Sequence, residues 1–580
     1  MKFTADFETS TWQTEETFVW AFALCEIGNE DNIKIGNNID DFMKYIELEK
    51  NSEIYFHNLK FDGEFIIHYL LTHGFTHILN KKDKKDKTFT TLISDMGMFY
   101  TIEVYFKVGN KQVKKVKFID SLKIIPFGVE QIAKSFGLPI NKLEIDYNEV
   151  REKGHILTKQ EEEYITNDVK IVALALNLLF NEGLDRITTA SNALYSYKNT
   201  ISKSKFRNLY PCLKYEIDSD LRASYKGGFT YLNPIYKEVD TGEGVVLDVN
   251  SLYPSVMRNE LMPVGDPVFY LGKYEEDLVY PLYIQRITCS FEIKENMIPT
   301  IQIKKSPSFM DNEYLTSSNN EIVSLTLTSV DLKLFLEHYN VYELKYVSGW
   351  KFKGMHGIFN EYIDHWTEVK IKATKDGNKG MRTLAKLMLN SLYGKFASSL
   401  DIQSKIPYIE DDIILYRLGE KEQKEGVYLP IGCFITAYGR EKTIRTSQAI
   451  KTYSIEKYGK DLYCYSDTDS IHCLLPIEEL TKFCEIDGVK LGYWKHESTF
   501  SKARFVRQKT YLEMIDNEVK ITCAGMPKEC YKYVEWEKFK ECFTCGGKLV
   551  FKHVRGGVKL IETDFTIKTD KTLVKNIQKF

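Results

Sequence analysis

No segment of this 580-residue chain stays apolar for the roughly 18 residues needed to cross a bilayer. The start, where Met1 leads almost at once into "ADFETS", shows no charged-then-apolar leader, so no membrane partner is expected. The 11 cysteines are scattered, which excludes a disulfide framework and suits a reducing cytoplasm. A lone "CFTC" (542–545), with Cys523 and Cys530 nearby, falls short of the four placed ligands of a zinc site, so free thiols are expected. Formal net charge is only −3, so no overall cationic field announces a nucleic-acid partner. No GxxxxGK[ST] loop occurs, which excludes a P-loop motor driven by ATP.

What is present is an ordinary globular composition, 43% hydrophobic and 27% charged, long enough for several domains. Residues 501–580 hold 17 Lys and Arg against 10 Asp and Glu. That local excess suits phosphate binding, or is a plain solvated surface.

The chemistry lies in two carboxylate sets. "FTADFETS" alternates as a strand does and puts Asp6 and Glu8 on one face. "IYFHNLKFDGEF" (54–65) adds Asp62 beside a glycine, with His57, Asn58 and Phe61 as polar and stacking groups for an unpaired strand end; Phe65 suits the core equally well. "TKQEEEYITNDVKIVALALNLLF" reads as a helix opened by a Thr158–Glu161 capping box, with Tyr164 and Asp168 four residues apart on one face. Lys142 is a candidate to steady a scissile phosphate, Tyr147 to stack on a base, and Glu144 or Asp146 to support a metal. Asp6, Glu8, Asp62, Asp168 and the tyrosine resemble, in order and motif context, the DEDDy-type 3′–5′ exonucleases, in which two metals activate a water and stabilise the leaving oxygen.

The second set centres on "CYSDTDSIHC" (464–473), where Asp467 and Asp469 are expected on the same side of an extended run, close enough to need a counter-charge. A solvated hairpin tip would also explain them. "GEGVVLDVNSLYPS" (242–255) ends an apolar strand in Asp248, so the DTD hairpin is expected to face Asp248, with the Val249 carbonyl as a further ligand. In "MRTLAKLMLNSLYGKFA" (381–397), Arg382, Lys386, Asn390 and Gly394 recur every four residues on one helical face, a cationic stripe for a triphosphate or an ordinary outer face. Tyr393 and Tyr253 are placed to pack on the incoming base and sugar, where a bulky ring would exclude a 2′-hydroxyl.

"DVNSLYPS", the Lys-Asn-Tyr-Gly helix and "YSDTDS" together resemble family B DNA polymerases. "YFHNLKFDG", "IPTIQIK", "LGYW", "HESTF" and "RQKTY" narrow the resemblance to the protein-primed bacteriophage group, the phi29 type, over nearly the whole chain. The resemblance implies a multi-domain α/β architecture: an RNase H-like exonuclease domain (1–188), a palm split into 189–259 and 425–527, a first insertion (260–357), fingers (358–398), a second insertion (399–424), and thumb with C-terminal tail (528–580). The two insertions correspond to the terminal-protein regions. It implies two Mg²⁺ per active site, with Mn²⁺ able to substitute, and as partners template and primer DNA, dNTPs, a terminal protein and viral single- and double-stranded DNA-binding proteins. A monomer in the host cytoplasm, working by strand displacement with proofreading, completes the expectation.

The same resemblance assigns Lys370 to the nucleotide and Lys509 and Tyr511 to the primer end. It gives Thr436 and Arg440 to a primer-binding motif, and Tyr225, Lys226, Gly227 and Gly228 to a link balancing synthesis against degradation. Thr9, Tyr55, Ser121 and Leu122 join the single-strand contacts. Lys226 stands where the family usually has Arg, and Tyr438-Gly439 where it has Trp-Ala. The loop at 371–381 and the last twelve residues are longer than expected. Two rival readings remain at this stage, a polymerase that uses only nucleic-acid primers and a catalytically dead DNA-binding subunit; the second would require a lost metal carboxylate.

Overall fold

In the first strand, Lys2–Thr9, alternate residues go to opposite layers. Phe3, Ala5 and Phe7 join a core with Phe42, Met43 and Leu59, from the helices Ile39–Leu48 and Leu59–Thr72. Thr4, Asp6 and Glu8 therefore face the long helix Lys159–Asn181, and Thr4 Oγ1 donates to its Val169 carbonyl at 2.9 Å. The strand lies inside an eight-stranded mixed sheet, antiparallel to Val19–Glu26 and parallel to Ser52–Phe56. The helix begins as read from sequence, with both halves of the Thr158–Glu161 capping box formed. This computed structural model describes residues 1–10, 16–49, 51–108, 112–147, 149–302 and 314–568. The twelve C-terminal residues, singled out above as an extension, lie outside the described residues.

A second sheet of five strands runs Trp494–Phe500, Gly244–Val249, Ser470–Cys473, Tyr463–Asp467, Thr230–Leu232. Behind it lies a helix of 30 residues, Leu429–Tyr458. Gly432 of this helix abuts Ala397, Thr443 Oγ1 donates to the Thr468 carbonyl at 2.7 Å, and Gln448 Oε1 accepts from Ile298 N at 2.9 Å. Two successive helices, Asn360–Lys375 and Lys379–Phe396, pack together on the same core, which joins Leu176, Leu384, Met388 and Ile435. Residues 260–357 contribute a four-stranded antiparallel sheet with the helix Ser329–His338. A hairpin of Asp401–Glu410 and Ile413–Gln423 precedes the long helix, and a hairpin of Thr544–Val554 and Gly557–Thr566 ends the described chain.

Candidate active sites

The even face of the first strand opens on a cavity of about 470 Å³ lined by Asp6, Glu8, Asp62, Asp168, Tyr164 and Lys142. Asp62 lies in the first turn of its helix, directly after Asn58, whose left-handed backbone (φ 77°) ends the preceding strand in a sharp turn. Its Oδ1 accepts from Phe7 N at 3.2 Å, which ties the helix to the strand. Asp168 is ion-paired with Lys142, while its Oδ1 is buried without a partner. Tyr164 shares a 2.7 Å hydroxyl contact with Tyr147 and accepts from Lys142 Nζ at 3.3 Å.

Crowding four carboxyls in a buried space disfavours their ionisation. Burial first, then the facing Asp168, pushes Asp6 up to about 7. Burial and then Asp6 raise Glu8 and Asp62 well above the carboxylate range. Among the described residues no three His, Cys, Asp or Glu side chains stand at ligand spacing around one point. Lys142, paired with Asp168, is the cation already present. An unpartnered carboxylate oxygen within a cluster of raised carboxyls is the donor set a divalent cation fits.

Thr9, His57, Asn58, Phe61 and Tyr147 also line this cavity. Burial pulls His57 down to about 4, so the ring is neutral. Its Nε2 lies 2.6 Å from the Phe127 carbonyl and must carry the proton, leaving Nδ1 to accept from Ser121 Oγ at 3.0 Å. Four apolar residues absent from the sequence reading complete the wall: Leu549, Phe551, Val558 and Leu560, from the C-terminal hairpin. Alternation in "LVFKHV" (549–554) and "GVKL" (557–560) was their only sequence signal.

At the second site, Asp248 pairs across the sheet with Ser470, at the foot of the DTD turn. Burial first, then Asp469 and Glu497, pushes Asp248 up to about 7, with Lys495 and Lys386 opposing. Burial also raises Asp469. Lys370, from the other helix of the pair, is lowered by burial and then by Lys386 and Arg382. Three cations from two helices, Lys370, Arg382 and Lys386, thus lie near one another, and Lys386 also acts on Asp248. Arg382, Lys386, Asn390 and Gly394 are exposed along one face, and Leu384 and Met388 are buried on the other. Tyr253 and Tyr393 lie ring to ring at 4.2 Å. Gly439 leaves room for that pair, since a Cβ there would stand 3.1 Å from Tyr253 Cε1.

Comparison with known proteins decides what carries this arrangement. Residues 45–474 match the family model for DNA polymerase type B, organellar and viral. The DNA polymerase of Bacillus phage Nf is 46% identical over 98% of this chain and 99% of its own; that of Bacillus phage phi29 is 44% identical over the same shares. A crystal structure of phi29 DNA polymerase superposes with a TM-score of 0.91 at 43% identity, over 98% of this chain and all of that one. The chain belongs to the type B DNA polymerases.

Several residues of the polymerase stand elsewhere than the sequence suggested. Asp467 and Asp469 do not share a strand face: Asp467 ends its strand, Thr468 is left-handed (φ 59°), Asp469 N donates to the Asp467 carbonyl at 2.7 Å, and Thr468 and Asp469 form the turn. Asp467 instead meets Lys509 Nζ at 2.7 Å and Thr230 Oγ1 at 3.1 Å, leaving Asp469 to face Asp248. Val249 gives its N–H to the Asp469 carbonyl at 2.8 Å. Glu144 is exposed and does not line the cavity.

Five expected DNA contacts, Tyr55, Phe65, Ser121, Thr436 and Arg440, are buried. Phe65 is buried against Phe61, and Tyr55 packs on Phe180 with its hydroxyl on Glu53. Ser121 is buried behind His57, and half-buried Leu122 gives its N–H to Asp120. Thr436 is buried, its hydroxyl bonded back to the Gly432 carbonyl. Arg440 is 2% exposed and donates to Asp331 and to the Lys226 and Gly227 carbonyls. Its guanidinium thus ties the backbone of residues 226 and 227 to Asp331. Gly228 has to be glycine, because a Cβ would stand 2.6 Å from Thr468 Oγ1; half-buried Tyr225 sits beside Tyr393. Tyr511 is largely buried against Tyr465 and His472, while Lys509 is exposed.

Proposed function

We propose that this polymerase copies a linear viral genome processively, starting from the hydroxyl of a terminal protein, displacing the non-template strand and trimming errors 3′ to 5′. The observation that supports synthesis is a cluster of three cations, Lys370, Arg382 and Lys386, joined through Lys386 to Asp248, which faces Asp469. A triphosphate held by those cations presents its α-phosphorus to a primer hydroxyl beside the carboxylates, with Tyr253 and Tyr393 against base and sugar. A ring against the sugar leaves no room for a 2′-hydroxyl, which favours deoxynucleotides.

The observation that carries degradation is the first cavity. Phe61 and Tyr147 offer stacking surfaces to unpaired bases, Asn58 and neutral His57 bound the strand's path, and Tyr164 orients the attacking water. Asp248 and Asp469 at one site, and Asp6, Glu8, Asp62 and Asp168 at the other, are the residues to hold Mg²⁺, with Mn²⁺ as substitute. Such ions supply nucleophile activation and charge neutralisation for in-line displacement at phosphorus. Lys142 and Lys509, now paired with Asp168 and Asp467, are then free to meet phosphates.

Solved phi29 DNA polymerase complexes hold single-stranded DNA, or primer-template DNA with incoming nucleotides, and support the same partners for this chain. No helix among the described residues is long and apolar enough to cross a membrane. Action as a monomer in the host cytoplasm, beside viral single- and double-stranded DNA-binding proteins, completes the reading. Incubating the enzyme with its cognate terminal protein and labelled dNTPs tests the priming. A labelled terminal protein is the expected result; extension of DNA primers alone would leave a polymerase that uses only nucleic-acid primers.

A further inference from the structure

Glu64 lies two residues after Asp62 on the same helix, about 200° further round, and so points away from the carboxylate cavity. It is 3% exposed, yet it carries a carboxyl among apolar neighbours. Both oxygens are taken, each by a different part of the chain. Oε2 accepts from Tyr416 Oη at 2.6 Å, on the second strand of the 401–423 hairpin. Oε1 lies 3.1 Å from His553 Nε2, on the C-terminal hairpin. Burial and then Glu64 raise the Tyr416 hydroxyl, which keeps it a donor. The rings of Tyr416 and His553 also meet, at 5.8 Å.

The two hairpins lie more than a hundred residues apart in the sequence, one just before the long helix and one at the end of the described chain, and they meet here, against the helix Leu59–Thr72. Further contacts mark the place as a fitted junction. His68 Nε2 meets Asp412 Oδ1 at 2.9 Å, and Thr17 accepts the approach of the thumb turn through its N–H to the Arg555 carbonyl (3.2 Å) and its hydroxyl to the Val558 carbonyl (3.1 Å). At Gly556 (φ 85°) an added Cβ would stand 2.1 Å from the Thr17 carbonyl oxygen, so this turn tolerates no side chain.

We propose that Glu64 is a positioning residue: one buried carboxylate clasps the second-insertion hairpin and the thumb hairpin to the exonuclease helix, closing the protein into a ring and holding Phe551 as a wall of the degradation cavity. The ring runs from palm through the 401–423 hairpin to Glu64, and back through the thumb. Duplex product threaded through it leaves only when the clasp opens. On the cavity side, Phe551 stands 5.7 Å from Phe61, so the clasp fixes the slot into which an unpaired 3′ end inserts. The inference rests on the polymerase and exonuclease reading given above.

The test compares the full-length enzyme with Tyr416→Phe/His553→Ala, which removes both donors at partly exposed positions, with Glu64→Leu, and with the triple variant. Three quantities are read: short-gap filling, product length on a primed circle with a DNA trap, and kcat and KM for degrading a single-stranded oligonucleotide. Gap filling and degradation by the parent are measured first; failure of either overturns the functional reading itself. With both present, we expect product length with trap to fall about fivefold or more in each variant and KM to rise while kcat holds, with no further loss in the triple variant, as groups of one network behave. His553→Gln, which keeps a donor, should recover most of the length. Parental product length in Tyr416→Phe/His553→Ala, or losses that add in the triple variant, would overturn the clasp.

Discussion

Arg440 grips Asp331 through three N–H···O contacts of 2.7 to 3.1 Å, joining the long helix to the helix of the first insertion. Both groups sit where water scarcely reaches, and the guanidinium has two backbone carbonyls as its remaining partners. Removing one member strands the other charge in the interior. We expect Asp331→Ala to lower stability by about 3–5 kcal/mol, the usual cost of orphaning a buried ion. Urea unfolding measures it. A drop in DNA affinity at unchanged stability would mean that Arg440 touches the strand after all.

The two carboxylate sites are separate bodies of structure, so their activities should separate. Asp469→Asn removes the charge facing Asp248; nucleotide addition should vanish while single-stranded DNA is still degraded. Asp6→Ala with Asp62→Ala should do the reverse, with primer extension intact and misincorporation raised. Near-parental extension by the first variant, or 3′ trimming by the second in Mg²⁺ or Mn²⁺, would show that the sites are misassigned.

Folding holds the protons of Asp6 and Asp248 more tightly than the unfolded chain does, since both carboxyls rise from 3.8 to about 7. The native state therefore binds more protons between those values, and the stabilisation these groups give is present below pH 4 and lost as pH rises toward 7. Without divalent cations, the difference in stability between the parent and Asp6→Asn/Asp248→Asn should shift against the parent across that window. Added Mg²⁺ should raise the parent's Tm more at pH 8 than at pH 5.5, because protons no longer compete. Equal Mg²⁺ shifts at both pH values would contradict the raised carboxyls.

Gly439 is the floor beneath Tyr253. Gly439→Ala crowds the ring by a few tenths of an ångström, toward Tyr393 and the sugar. Discrimination against ribonucleotides should change severalfold, on the scale set by one methyl group in a pocket. Single-nucleotide kcat/KM for a dNTP and its ribonucleotide measures this; an unchanged ratio would mean that the ring is seated elsewhere during synthesis.

Much of this was legible in the sequence, for reasons of period and type. Strand alternation put Asp6 and Glu8 together, the four-residue spacing of a helix put Tyr164 beside Asp168, and the cationic stripe from Arg382 to Gly394 is exposed where a 3.6-residue repeat places it. Turn geometry was harder. The DTD pair read as extended because Ser466 and Ile471 flank it as strand residues, and nothing local announced that Thr468 is left-handed. Burial of polar groups was harder still. Arg440, Thr436 and Ser121 belong to motifs that suggest contact with DNA, yet all three are buried, and the partners of Arg440 and Ser121, Asp331 and His57, lie 109 and 64 residues away. The thumb's share of the degradation cavity was out of reach for the same reason, since Phe551 and Asp62 are brought together only by the fold.

The 30-residue helix that touches Ala397, Arg440's link, the Thr468 turn and insertion residue Ile298 makes the enzyme a lever. At 1.5 Å per residue the 16 residues from Gly432 to Gln448 span about 24 Å, so a rigid tilt of about 5° about the Ala397 contact carries the Ile298 contact through about 2 Å. Any rotation of this one rod is therefore shared by Ala397, the Thr468 turn and Ile298 together.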